Sequence, residues 1–145
     1  MAKTTKHTPE GLHSATTQLV VRGARDAIAF YEKAFGATDV HTMPGADGKS
    51  IMHGWFRVGD SAIFISDEGG FAKATSSNVF LYVPDVDATV KAAEAAGAKV
   101  KTPVADMFWG DRWGMIEDPW GTIWQIATHV EDVSPEEMSK RMKAT

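Results

Sequence analysis

AIAFYEKAFGA (27–37) and YVPDVDATVKAAEAAGA (82–98) end in the same way. In the first, Ala27, Ile28, Tyr31, Ala34 and Phe35 recur at spacings of three and four, the period of a helix with one apolar face. In the second, Val86, Val90, Ala93 and Ala96 repeat that spacing behind Asp85, a residue suited to cap a helix N-terminus. Each run stops at a Gly-Ala pair, Gly36-Ala37 and Gly97-Ala98, 61 residues apart. A glycine just past the last turn is an ordinary helix stop.

The flanking segments repeat as well. TTQLVV (16–21) precedes the first helix, and TDVHTM (38–43), SIMHGWFRV (50–58) and SAIFIS (61–66) follow it. SNVFLYV (77–83) precedes the second, and AKVKTPV (98–104), RWGMIE (112–117) and TIWQIATH (122–129) follow it. All read as strands, rich in β-branched and aromatic residues and bounded by turn residues such as Gly59-Asp60 and DPWG (118–121). The chain is therefore expected to be α+β, two tandem βαβββ units, because a repeat dictates architecture. Residues 1–13 read as a flexible N-terminal tail and 14–129 as the domain, with repeats at about 14–68 and 76–129. Residues 130–145 read as a C-terminal tail, in which Ser134-Pro135-Glu136-Glu137 starts a short helix.

The 145 residues suit one domain. Hydrophobic residues make up 43% and charged residues 23%, as in ordinary globular chains. The absence of cysteine excludes disulfides, thiolate zinc sites and a cysteine nucleophile. A net charge of −4 argues against nucleic acid and anionic membranes as partners. No apolar run approaches the ~20 residues of a membrane span, and MAKTTKHTPEGLH lacks the apolar stretch of a secretory signal. A cytoplasmic location is expected. Neither a dinucleotide-binding glycine motif nor a nucleophile elbow occurs.

Taken together, AIAFYEKAFGA (27–37), MHGWFRVGDSAIFISDE (52–68), YVPDVDATVKAAEAAGA (82–98) and WGDRWGMIEDPWGTIWQIATHVEDVSPEEM (109–138) resemble the vicinal oxygen chelate superfamily. This superfamily contains glyoxalase I, extradiol dioxygenases and the fosfomycin- and bleomycin-resistance proteins. The pieces are most similar to its PhnB-like, glyoxalase-related branch. The resemblance implies that each repeat forms an open curved sheet, that the concave faces border a cleft, and that the helices cover the outer faces. It also implies a homodimer.

Strand alternation sorts the side chains between helix and cleft. It sends Thr16, Gln18, His53, Trp55, Arg57 and Phe64 of the first repeat to the concave side. From the second repeat it sends Asn78, Phe80, Tyr82, Trp113, Met115, Glu117, Gln125 and His129. Phe108 and Trp109 lie in the loop before the seventh strand, where they can cover the cleft. The metal positions implied by the resemblance fall on Thr16, Phe64, Asn78 and Gln125, none a good ligand for a divalent ion. No metal and no cofactor are expected. The ring-bearing positions suit equally the packing of a dimer interface or a binding cleft for a small, partly aromatic molecule, with Asn78 and Gln125 orienting it. The alternative is an enzyme with a non-standard metal site, or acid–base chemistry by His53, Glu117 or His129. Arg57 and Glu117 occupy matching points of the two repeats and equally suit a structural ion pair or a ligand-orienting pair. Asp118, in DPWG, reads as a turn residue, and Trp124 as core.

Overall fold

The computed structural model describes residues 6–70 and 72–144. Strand β1 (Thr17–Val21) leads into helix α1 (Ala24–Phe35), followed by β2 (Thr38–Pro44), β3 (Ile51–Val58) and β4 (Ser61–Asp67). The order then recurs as β5 (Asn78–Tyr82), α2 (Val86–Ala95), β6 (Lys99–Asp106), β7 (Asp111–Glu117) and β8 (Ile123–His129). Helix α3 (Pro135–Ala144) ends the chain. The strands form two open four-stranded sheets, ordered β1-β4-β3-β2 and β5-β8-β7-β6. The first strand of each repeat lies parallel to the fourth, and the other pairs are antiparallel. The duplicated α+β architecture expected above is thus present. No helix among the described residues is long and apolar enough to cross a membrane.

Alternation holds in β3 from His53 on, burying Gly54, Phe56 and Val58 and leaving His53, Trp55 and Arg57 partly open, while Ile51 is buried beyond a register shift. It holds also in β4 and, from Trp113 on, in β7. The buried set from both sheets joins the apolar sides of α1 and α2 in one core. Tyr31 of α1 makes this continuity concrete. Its ring meets Phe35 and Phe56 of its own repeat and Trp120 and Trp124 of the other. Trp124 is fully buried, as its place beside Ile126 predicts. Because the helix-covered faces share this core, the other face of each sheet lies away from it.

The repeats anchor their helices by different chemistry at one position. Asp67, at the end of β4, accepts hydrogen bonds on Oδ1 from the backbone N–H of Gly23 and Ala24, at 2.8 and 2.9 Å. Its Oδ2 accepts from Ile51 N at 2.7 Å. A carboxylate here meets both the free N–H groups and the positive end of the helix dipole. The corresponding residue of β8 is Thr128, whose hydroxyl accepts from Val86 N and donates to the Val83 carbonyl. Asp85 supplies the remaining cap, accepting from Ala88 N at 3.1 Å. Asp67→Ala strands three backbone donors and is expected to lower stability by about 2–3 kcal/mol, while Asp67→Asn should recover part of that. Urea denaturation followed by tryptophan fluorescence measures both, and equal stability of Asp67→Ala and wild type would refute the anchor.

Two features depart from simple alternation. β2 is bulged between Thr38 and His41, and all seven of its residues are exposed. Asp39 there has φ 52°, a left-handed backbone that costs a non-glycine residue energy. β6 carries two register shifts and runs two residues beyond its expected end, which shortens the following loop to residues 107–110. At the C-terminus Ser134 Oγ accepts from Glu137 N, while the Glu137 side chain accepts from Arg141 instead of turning back to the Ser134 backbone.

Candidate functional site

Strand register sets the first concave face out in rows. One row runs Gln18, Phe64, Trp55, His41, and the next runs Val20, Ser66, His53, Met43. His41 stacks on Trp55, with centroids 4.7 Å apart and planes 22° from parallel. His53 meets the Phe64 ring edge-on at 4.9 Å. A cavity of about 580 Å³ opens at this end of the face, between the β2–β3 turn and the segment after β4. Gln18, Val20, Met52, His53 and Ser66 line it. The Gln18 amide donates to Ser66 Oγ at 3.3 Å. Among the described residues the His53 ring has no hydrogen-bond partner, so both its nitrogens are free for a guest.

Arg57 lies one row further out. Its guanidinium donates to the Gly11 carbonyl at 3.0 Å and lies 3.6 Å from Asp39, which in turn pairs with His41 at 2.8 Å. Arg57 therefore ties the segment before β1 to the sheet. Thr16 lies in that same segment and lines a smaller cavity of about 160 Å³.

The second face carries more ring surface. Its rows run Phe80, Gln125, Met115 and then Tyr82, Ala127, Trp113. Phe80 and Tyr82 are 43% and 59% exposed, unusually open for large apolar side chains on a sheet. Trp109 stands over Trp113 at 5.8 Å and 71°, and Phe108 meets Trp109 edge-on. At the end of this face lies Asp111, 1% exposed, which receives hydrogen bonds from Tyr82, Trp109 and His129. Burial works to raise the Asp111 carboxyl pKa, but these three donors outweigh it and hold it below the usual carboxylate range.

The residues singled out from the sequence therefore divide between two faces. Thr16, Gln18, His53, Trp55, Arg57 and Phe64 belong to the first. Asn78, Phe80, Tyr82, Phe108, Trp109, Trp113, Met115, Glu117, Gln125 and His129 belong to the second. Arg57 and Glu117 do not meet, and the nearest cation to Glu117 is Lys101 at 4.0 Å. His53 and His129 lie on different sheets. Both ring nitrogens of His129 are held by carboxylates, at 2.8 Å from Asp111 and 2.8 Å from Asp132, so it is not a free base. Two further residues belong to these faces without a sequence signal: Asp111, whose partners come from three separate segments, and His41, which a bulged, fully exposed strand brings beside Trp55.

The metal positions suggested by resemblance do not suit a divalent ion here. The Gln125 amide donates to Asn78 Oδ1 at 3.0 Å, so the Asn78 carbonyl oxygen is already engaged. Phe64 has no donor atom, and Thr16 has only a hydroxyl. Among the described residues no group of three His, Asp or Glu side chains is placed to hold a metal ion. This donor set does not fit zinc, iron or manganese.

Residues 12–126 match the Glyoxalase/Bleomycin resistance protein/Dioxygenase superfamily, and the chain belongs to it. A protein of Mycobacterium bovis, described only as uncharacterized, is 36% identical over 137 residues, covering 87% of this chain and 90% of that one. TioX from Micromonospora sp. ML1 shares the fold, with TM-score 0.66 and 24% identity over 81% of this chain and all of its own. The fosfomycin resistance protein FosX from Listeria monocytogenes, in a complex with Mn(II) and sulfate, has TM-score 0.60 and 19% identity over 93% and 99% of the two chains. The PhnB protein from Bacillus cereus has TM-score 0.58 and 14% identity over 80% and 99%.

Proposed function

We propose that this protein binds a small, partly aromatic organic molecule in a metal-free cleft and sequesters it, as bleomycin-resistance-type proteins do. The observation that carries the reading is the set of partly open rings on both concave faces. Trp55, Phe64, Phe80, Tyr82 and Trp113 offer stacking surface, and Gln18, Ser66 and His53 supply orienting groups beside a cavity of suitable size. Sheet faces aimed away from a common core each provide one wall of a cleft. A second copy of the chain supplies the opposite wall, so the working form is a homodimer. Its place is the cytoplasm, and its acidic charge gives no support to a nucleic-acid or membrane partner.

Two probes of fixed and opposite charge, N-methylquinolinium and naphthalene-2-sulfonate, test this directly. Saturable quenching of tryptophan fluorescence is expected, with Kd on the order of 10 µM for at least one. Sedimentation equilibrium of the same samples should give twice the chain mass. No saturable quenching at millimolar probe would defeat the binding reading.

One observation favours a second reading, acid–base catalysis. His53 is the uncommitted titratable group on the cavity, and an imidazole is suited to proton transfer near neutrality. Glu117 and His129 belong to the other sheet and do not assist it within one chain. A pH-dependent turnover abolished by His53→Ala, with binding retained, would place this reading first.

A further inference from the structure

Asp111 gathers the second ring wall onto one carboxylate. Oδ2 accepts from Tyr82 Oη and from Trp109 Nε1, both at 2.9 Å, and Oδ1 faces His129 Nδ1 at 2.8 Å. The other His129 nitrogen faces Asp132 at 2.8 Å. Carboxylates only accept, so both ring nitrogens must donate, and only the imidazolium does that. The chain that follows is sewn to the ring-bearing loop. Val130 N and Glu131 N both donate to the Gly110 carbonyl, at 2.9 and 3.1 Å. Arg141 of α3 donates to the Phe108 carbonyl at 3.1 Å and pairs with Glu131. Gly110 has φ 104°, and a Cβ there would stand 2.3 Å from the Glu131 carbonyl oxygen.

We propose that Asp111 is the positioning residue of the second ring wall and that the proton on His129 holds it in place, so that capture of an aromatic ligand is linked to protonation of His129. The inference rests on the binding function argued above. A buried carboxylate needs a counter-charge, and His129 supplies it. A neutral imidazole can serve one carboxylate as donor and must turn a lone pair toward the other. With the remaining proton on Nδ1, Asp111 keeps three neutral donors but has no cation, and the buried carboxylate that fixes both Tyr82 and Trp109 is held less firmly. His129 is half exposed, so solvent reaches its proton.

The charged groups around His129 make the sign clear. Asp111 comes from β7 and Asp132 from the segment after β8, while Tyr82 of β5 acts through Asp111. Glu131 pairs with Arg141 of α3, which it shares with Glu137, and Asp106 of β6 pairs with Arg112, which it shares with Asp87. The hydrogen bond to Asp132 and then that to Asp111 raise the His129 pKa above its usual value, against the opposing effect of burial. The wall is therefore in place below that pKa and loosens as pH rises through it.

The test measures affinity for N-methylquinolinium and naphthalene-2-sulfonate between about pH 5.5 and 9, a window in which neither probe changes charge and histidine does. Both are expected to bind about fivefold more weakly at the alkaline end. His129→Gln should be flat with pH and fixed at the weaker level. Opposite trends for the cationic and anionic probes would show simple charge attraction and overturn the proposal. So would a pH step that survives in His129→Gln. A ligand-free readout is the Trp109 indole N–H resonance, assigned with Trp109→Phe. It should titrate with His129 in wild type, stay flat in His129→Gln, and titrate at lower pH in Asp132→Asn. If neither probe binds at any pH, the proposed function fails and the link to ligand fails with it. A Trp109 resonance that ignores pH overturns the clamp itself.

Discussion

Asp118→Ala is expected to be among the most damaging single substitutions in this chain, lowering stability by about 4 kcal/mol and the melting temperature by about 10–15 °C. Asp118 is 3% exposed. Its Oδ1 accepts from Trp120 N and Thr122 N, at 2.9 and 3.0 Å, which closes the turn before β8. Its Oδ2 accepts from Tyr31 Oη at 2.6 Å and Trp124 Nε1 at 3.0 Å. Alanine leaves four donors without an acceptor, and the two on Tyr31 and Trp124 lie where water does not reach. Tyr31 shows the same strain from the other side. Burial first, then the charge of Asp118, pushes its hydroxyl pKa well above the ordinary tyrosine value. Asp118→Asn should cost less than alanine but not be neutral, because Trp124 can only donate and an amide N–H turned toward it finds no acceptor there. Equilibrium urea unfolding of the three proteins checks this. A loss under 1 kcal/mol for alanine would show that the hydrogen bonds are replaced and that the hub is dispensable.

The second large effect is expected on binding. Trp55→Ala should weaken the affinity for N-methylquinolinium or naphthalene-2-sulfonate about 30-fold, the 2 kcal/mol typical of a central aromatic anchor. Trp55 sits on an inner strand of the first face, between Phe64 on β4 and His41 on β2. Truncation removes the widest ring and the surface on which His41 stacks. Its partial exposure keeps the folding cost modest, so the loss should appear in calorimetric titration with the circular dichroism unchanged. Trp55→Phe should recover most of the affinity. Binding within twofold of wild type for Trp55→Ala would remove the first face from the site and leave the Tyr82–Trp109–Trp113 wall alone.

The architecture was legible because its signals are periodic. The spacing of Ala27, Ile28, Tyr31 and Ala34 marks a helix face, and the alternation of His53, Trp55 and Arg57 with Gly54, Phe56 and Val58 marks a strand face. The copying of both patterns 61 residues later settles the topology. DPWG announced a turn, but not that Asp118 would be buried, since that depends on Tyr31, 87 residues away. Asp111 was illegible for the same reason. It reads as one more polar residue in a loop, and its character comes from Tyr82 and His129, which reach it only when β5, β7 and β8 lie side by side. The bulge at Asp39 also left no local mark, because no glycine or proline announces it. Chemistry that converges from distant segments is where reading by period stops.

The common core that Tyr31 shares with Trp120 and Trp124 has a further meaning. The pattern repeats at about 60 residues, yet the buried residues of both repeats form one cluster: each ring that Tyr31 touches across the boundary is a surface the other repeat would otherwise expose. The unit that repeats and the unit that melts are thus of different size, and local opening of one repeat uncovers apolar surface on both.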